Sequence, residues 1–186
     1  MKKIKYGIIG AGTMAQEHIL NLSLINKAEV VALSDPHDES LKQCRKLIKT
    51  EVACFKNHLD LIKENLVDVY IISSPNFTHI KILKDVIKTK KHILVEKPLC
   101  TNTKDCLEIE KLTKDYPSVF WTAMEYRYMP PVAKLITEIH NKTIGDLKTL
   151  TIREHRFPFL KKVNDWNRFE KNTGGTLVEK CCHFFD

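Results

Sequence analysis

What the chain lacks narrows its function first. No apolar run approaches the roughly 20 residues needed to cross a bilayer, so no membrane span is expected. The basic start, Met1-Lys2-Lys3-Ile4-Lys5, passes directly into a predicted strand and a glycine turn, which is not the layout of a signal peptide. Arginine is scarce: five of the 30 basic residues. The lysines are scattered along predicted helices, apart from Lys88-Thr89-Lys90-Lys91. The formal charge of +7 therefore reads as a solvated lysine surface with a modest pull on anionic ligands. A nucleic-acid binder would show a focused, arginine-bearing stripe, and none is present. The six cysteines contain no Cys-x-x-Cys pair. Cys44, Cys54, Cys100 and Cys106 sit singly in apolar patterns, and neighbours such as Cys181 and Cys182 point in different directions. Reduced thiols, no metal site and a cytoplasmic location are expected. There are no internal repeats and no low-complexity tract.

What is present begins with the first 35 residues. An apolar run, Ile4 to Ile9, leads into Gly10-Ala11-Gly12-Thr13-Met14-Ala15; an amphipathic segment follows, then the apolar run Val30 to Leu33, ending in Ser34-Asp35. Strand, glycine turn, helix, strand and acid, in that order, are what a dinucleotide-binding fingerprint requires. Gly10 permits the tight turn. Gly12 leaves room for a pyrophosphate, and Ala15 lets the helix pack closely on the strand. The helix start, at Thr13 and Met14, offers unpaired N–H groups and a positive dipole end to phosphates. Asp35 is placed to accept hydrogen bonds from a ribose diol. Its carboxylate would repel a 2′-phosphate, which favours NAD over NADP.

The rest of the first two-thirds repeats the alternation. Helical spacing recurs in His37 to Lys49, around Leu59 to Leu66, in Thr78 to Lys88, and from a cap at Thr101 or Asn102 to Asp115. Strands are predicted at Glu51 to Phe55, Val67 to Ile72, His92 to Val95 and Val119 to Ala123. With 43% hydrophobic residues in 186, the chain can bury a real core, and the pattern is that of an α/β protein with a doubly wound parallel sheet. Such sheets bind ligands at the carboxyl ends of their strands. Three ends carry polar residues: Ser34-Asp35, Ser73-Ser74-Pro75-Asn76 and Glu96-Lys97-Pro98. Lys97, between a buried strand and a proline, stands out from the other lysines. Near residue 124 the pattern changes. A break at Tyr126 to Pro131 precedes a helix carrying Val132, Leu135, Ile136 and Ile139. An alternating extended run, Leu147 to His155, follows, then a loop with Pro158, Trp166 and Gly174-Gly175, and then Leu177 to Phe185. Residues 1–123 are thus expected to form a Rossmann domain, and 124–186 the incomplete start of an α+β domain.

Gly7 to Gly12, Ser74-Pro75-Asn76 with His79, Glu96-Lys97-Pro98, Tyr126-Arg127 before Pro130, and Gly174-Gly175 followed by Glu179, His183 and Asp186 occur in one order. In that combination the whole chain resembles the Gfo/Idh/MocA oxidoreductases, the family of glucose–fructose oxidoreductase and inositol dehydrogenase. The resemblance implies hydride transfer between nicotinamide and a sugar, polyol or related hydroxylated small molecule. It implies NAD contacts from Gly10, Gly12, Thr13, Met14, Asp35, Ser74, Pro75, Asn76, His79, Glu96, Lys97 and Arg127. Lys97 would bind and polarise the substrate oxygen, with a cis bond to Pro98. His183 would take the hydroxyl proton, and Glu179 would orient the substrate or His183. If Leu177 to Phe185 is helical, those two side chains share a face. The chain departs from the family at two places: Glu179 stands where aspartate is common, and Lys180-Cys181 replaces a small pair. Family members continue well past this point and commonly assemble as homo-oligomers through their second sheet. The resemblance therefore leaves open a fragment, a truncated product or a chain completed by a partner. It also leaves open an inactive dinucleotide-binding remnant or sensor instead of an enzyme.

Overall fold

The apolar runs become the strands of one parallel sheet. The structure is a computed structural model and describes residues 2–155, 158 and 160–186. Its elements alternate as β1 (Ile4–Ile9), α1 (Thr13–Ser23), β2 (Ala28–Ser34), α2 (Asp38–Lys46), β3 (Ala53–Phe55), α3 (His58–Glu64), β4 (Val69–Ile72), α4 (His79–Ile87), β5 (His92–Glu96), α5 (Thr103–Thr113) and β6 (Phe120–Ala123). The strand order is β3-β2-β1-β4-β5-β6, and every pairing is parallel. This is the doubly wound arrangement, with its reversal of direction between β1 and β4.

Adjacent residues on a strand point to opposite faces, and both faces here are covered. Ile8, Leu33 and Ile71 pack against Ala15 and Ile19 of α1 and Leu41 and Cys44 of α2. Ile9, Ile72 and Val95 pack on the other side against Leu61 of α3, Leu83 and Val86 of α4 and Ile109 of α5. That explains why the central strands read as continuous apolar runs. Each fully buried aliphatic side chain contributes about 1.5–3 kcal/mol. Helix starts are satisfied locally: Asn57 Oδ1 accepts the Leu59 N–H at 3.0 Å, and Asn102 Oδ1 accepts the Asp105 N–H at 3.0 Å. Asn102, not Thr101, is therefore the cap of α5.

Beyond β6 a 3₁₀ turn at Glu125–Tyr128 leads into α6 (Pro130–His140). The alternating run Leu147 to His155 was expected to be extended as the first strand of a second sheet, but it forms none, and its apolar residues Leu147, Leu150 and Ile152 are exposed. A strand needs a neighbour for its N–H and C=O groups, and none of the described residues pairs with this run. The chain then returns over the carboxyl edge of the sheet. A 3₁₀ segment at Val163–Arg168 is followed by α7 (Glu170–Thr173), α8 (Thr176–Glu179) and α9 (Cys182–Phe185). Trp166 meets Phe77 edge-on, with ring centroids 6.3 Å apart.

Ala15 lies against the sheet with no exposed surface. Ala15→Leu forces extra methylenes between α1 and β1. It is expected to cost about 1–3 kcal/mol, seen as a lower urea midpoint with an unchanged slope.

Candidate functional site

The turn after β1 is fixed by a close approach. Gly10 has φ +92°, and a Cβ there would lie 2.4 Å from the Ser74 backbone nitrogen. Its N–H donates to Ser34 O at 2.8 Å, and its carbonyl accepts the Ser73 hydroxyl at 2.7 Å. Asp35 sits under the same turn. One carboxylate oxygen accepts the Ala11 N–H and the other the His37 N–H, both at 2.8 Å. The Cys44 thiol donates to Ala11 O at 3.3 Å. Burial, with Asp35 nearby, pushes that thiol up to about 11, so it stays protonated. Gly12 then heads α1 without a side-chain cap. A Cβ on Gly12 would meet no atom within 4 Å. The start of α1 thus has no side-chain cap and room beside Gly12, and Gly12, Thr13 and Met14 line the space next to it.

That space is a cleft of about 910 Å³ at the carboxyl ends of the strands. Gly10, Gly12, Thr13, Met14, Asp35, Ser74, Pro75, Asn76, Glu96, Lys97 and Glu179 all line it. Asn76 is 7% exposed, and its side-chain Nδ2 has no hydrogen-bond partner among the described residues. Glu96 is buried and takes His18 Nε2 of α1 at 2.7 Å. His79 is not on the lining. It is wholly buried behind it, with Nδ1 2.9 Å from Pro98 O and Nε2 3.0 Å from Ser74 O. It ties together the two loops that carry Asn76 and Lys97.

Lys97 follows β5 through a cis bond to Pro98. Its Nζ donates to the backbone carbonyl of Glu179 at 3.0 Å. In an unbroken helix that carbonyl would accept the His183 N–H. Here the segment expected to be one helix, Leu177 to Phe185, is interrupted at Lys180-Cys181. The carboxylate of Glu179 faces Lys180 Nζ at 3.5 Å. His183 stands away from it, with Nε2 3.4 Å from Glu125 and its ring stacked on Tyr126 at 4.0 Å. Arg127 is off the cleft and clamps Asp186 through both carboxylate oxygens, one of them at 2.8 Å from Nε. The guanidinium's hydrogen bonds hold the Asp186 carboxyl below the usual carboxylate range. The remaining wall comes from the returning loop, with Lys161, Lys162, Asn164 and Trp166.

A family model described as an oxidoreductase family with an NAD-binding Rossmann fold matches residues 4–124, and the family's C-terminal alpha/beta domain matches residues 136–186. The chain belongs to the Gfo/Idh/MocA oxidoreductase family. It is similar to the myo-inositol 2-dehydrogenase of Thermotoga maritima, with 29% identity over 98% of this chain and 53% of that protein. It is also similar to the glucose-6-phosphate 3-dehydrogenase of Bacillus subtilis, with 30% identity over 100% of this chain and 52% of that one. An NAD-binding protein from Listeria innocua shares the fold, with a TM-score of 0.79 and 20% identity over 98% of this chain and 53% of that one. The chain thus spans about half the length of the curated relatives it matches.

For this family member, the cleft fits the dinucleotide. Gly12 leaves an opening, the helix start has no side-chain cap, and the buried Asn76 amide has no partner among the described residues. Several residues of the site carried no sequence signal. His18 is one polar residue on an amphipathic helix. Glu125 and Lys162 sit in a turn and a loop of no recognised pattern. All three gain their place only from the chain's return over the sheet edge or from long-range pairing.

His79 makes a pH test. Burial, the largest influence, lowers its pKa below 6.5, outweighing the backbone groups of Pro98, Ser74 and Leu99 and nearby Glu96, which favour its charged form. The unfolded chain therefore binds a proton that the folded chain refuses. This contribution to stability is complete above about pH 6.5 and is lost as pH falls toward the lower folded value. Unfolding in urea at pH 7.5 and 5.5 is expected to show a smaller loss for His79→Gln than for the parent.

Proposed function

We propose that the chain binds NAD in the cleft between β1 and β4 and forms the cofactor-binding and catalytic part of a dehydrogenase for a sugar, polyol or similar hydroxylated molecule. The observation that carries this reading is the uncapped glycine turn opening into the same cleft that Lys97 enters from β5. Residues 1–123 serve as the dinucleotide domain and 124–186 as the start of a substrate domain. The six free thiols support a reducing, cytoplasmic setting. Relatives named as myo-inositol and glucose 6-phosphate dehydrogenases support the substrate class.

Gly12, Thr13 and Met14 offer N–H donors and the α1 dipole to the diphosphate. Asp35 receives the ribose diol on the lone pairs that Ala11 and His37 leave over, and its charge disfavours a 2′-phosphate. Ser74, Pro75 and Asn76 form the opposite wall. Glu96 lines the cleft while held by His18, and His79 and Arg127 act from behind or beside it as supports. A bound nicotinamide would supply the two-electron acceptor. Lys97 holds and polarises the substrate oxygen from its anchor on Glu179 O. His183, kept upright by Tyr126 and Glu125, takes the hydroxyl proton. Glu179 sets the position of Lys97 through its backbone.

The two glycines separate folding from binding. Gly10→Ala drives a side chain into the Ser74 backbone at positive φ, and is expected to cost more than about 3 kcal/mol. Gly12→Ala should change stability by no more than about 1 kcal/mol, yet weaken NADH binding by about tenfold or more. Calorimetric titration with NADH and urea unfolding read the two effects. Failure of the parent to bind NADH sinks the cofactor reading. In a screen of inositols and sugars followed by NADH absorbance, Lys97→Ala and His183→Ala are each expected to lower turnover by about a hundredfold or more. Unchanged turnover in either variant removes that residue from the chemistry.

A further inference from the structure

The charges at the Lys97 end of the cleft do not balance. Lys97, Lys162 and Lys180 line it, and Glu179, the carboxylate among the described residues at this end that is not committed elsewhere, pairs with Lys180 and acts on Lys162. Glu96 lines the same wall but is committed to His18 at 2.7 Å. Lys97 rests on a carbonyl, which orients the ammonium without neutralising it. Lys180 and Glu179 keep only 19% and 14% of their side-chain surface. Lys162 is half-buried between exposed Lys161 and Val163, and no carboxylate among the described residues lies within ion-pair distance of it. Burial pushes the Lys162 ammonium below the ordinary lysine range, Glu179 opposes that shift and Lys97 adds to it.

Drawing surplus ammonium groups out of water costs free energy unless an anion meets them. A lysine in an exposed loop could swing its flexible stem into solvent instead. The cofactor's phosphates do not account for the surplus. Their donors are the N–H groups at Gly12 and α1. That end is two strand spacings from β5, about 10 Å away. What remains to fill the Lys97 end is the substrate.

We propose that the substrate carries an anionic group, carboxylate or phosphate, beside the hydroxyl to be oxidised, and that Lys162 receives it with Lys180 at its side. This rests on the cofactor reading given above. Lys97 then keeps its place on the reacting oxygen, while Lys162 selects the charged member of otherwise similar sugars. A doubly bonded or charge-assisted contact of this kind discriminates strongly, because the neutral sugar leaves the ammonium buried without a partner.

The test is calorimetric titration of the NADH-saturated protein with glucose, glucuronate and glucose 6-phosphate at fixed ionic strength. At least one acidic sugar is expected to bind about tenfold tighter than glucose. Tighter glucuronate assigns a carboxylate, and tighter glucose 6-phosphate assigns a phosphate. Lys162→Gln should bring the acids down to the affinity of glucose, Lys162→Arg should restore most of the preference, and NADH affinity should stay within about twofold in both. Equal binding of the three sugars overturns the anion site alone, as does a preference that survives Lys162→Gln. A loss of NADH affinity in Lys162→Gln as large as the loss for the acids reassigns the lysine to the cofactor. No binding of NADH to the parent overturns the cofactor reading and this one together.

Discussion

Everything at this site depends on how closely β1 and β4 approach at their carboxyl ends. The sheet reverses its winding between them, so the connections leave in opposite directions and a crevice opens. At Gly10 the two backbones come so near that no side chain fits, with the position of a Cβ only 2.4 Å from Ser74 N. Ser73 closes the contact by donating to Gly10 O at 2.7 Å. Because the turn is this tight, α1 starts immediately, and its uncapped first turn lines the crevice. A wider turn would move the helix start away from it. The steric limit at one residue thereby sets the direction of the dipole that defines one end of the cleft.

The acids around the cleft are largely spent on structure. Asp35 accepts two backbone N–H groups at 2.8 Å, and Glu96 is paired to His18 at 2.7 Å. Each ties a strand end to a neighbouring element: Asp35 joins the end of β2 to the glycine turn, and Glu96 joins the end of β5 to α1. Negative charge is thus placed where it stiffens the frame, while N–H groups and ammonium groups face the open volume. The overall lysine excess says little about this, since most of it is solvated. The local sign comes from which charges have fixed partners.

The Rossmann half was legible because its signals are short-ranged. The apolar runs at Ile4 to Ile9 and Val67 to Ile72, the glycine turn and the asparagine ahead of α5 each encode their own geometry within a few residues. The register between β1 and β4 follows from burial on both faces. The second half was less legible for a physical reason. Alternation in Leu147 to His155 specifies two faces but not a neighbour, and a strand exists only with one. Four-residue spacing placed Glu179 and His183 on one helical face, but spacing cannot see that Lys97 takes the Glu179 carbonyl. Glu125, the carboxylate facing His183 at 3.4 Å, lies 58 positions away in sequence, in a turn with no motif of its own. Pairings across that distance are decided by packing, so Arg127, Asp186 and His18 found their partners only in the folded chain.

The break after Glu179 has a consequence that an intact helix could not provide. A lysine at the end of a strand has four rotatable bonds and loses considerable entropy if it is held. A carboxylate partner would hold it but would also neutralise its charge. A backbone carbonyl orients the ammonium with a single hydrogen bond and leaves its full charge facing the cleft. Carbonyls inside a helix are engaged by the N–H four residues on, so one must be released. The turn at Lys180-Cys181 releases it, at the same place where the side chain of Lys180 turns back to the Glu179 carboxylate. One irregular peptide thus fixes Lys97, occupies Glu179 and leaves His183 to Tyr126 and Glu125. The departure from the family at Lys180-Cys181 becomes the point where Lys97, Glu179 and His183 receive separate partners.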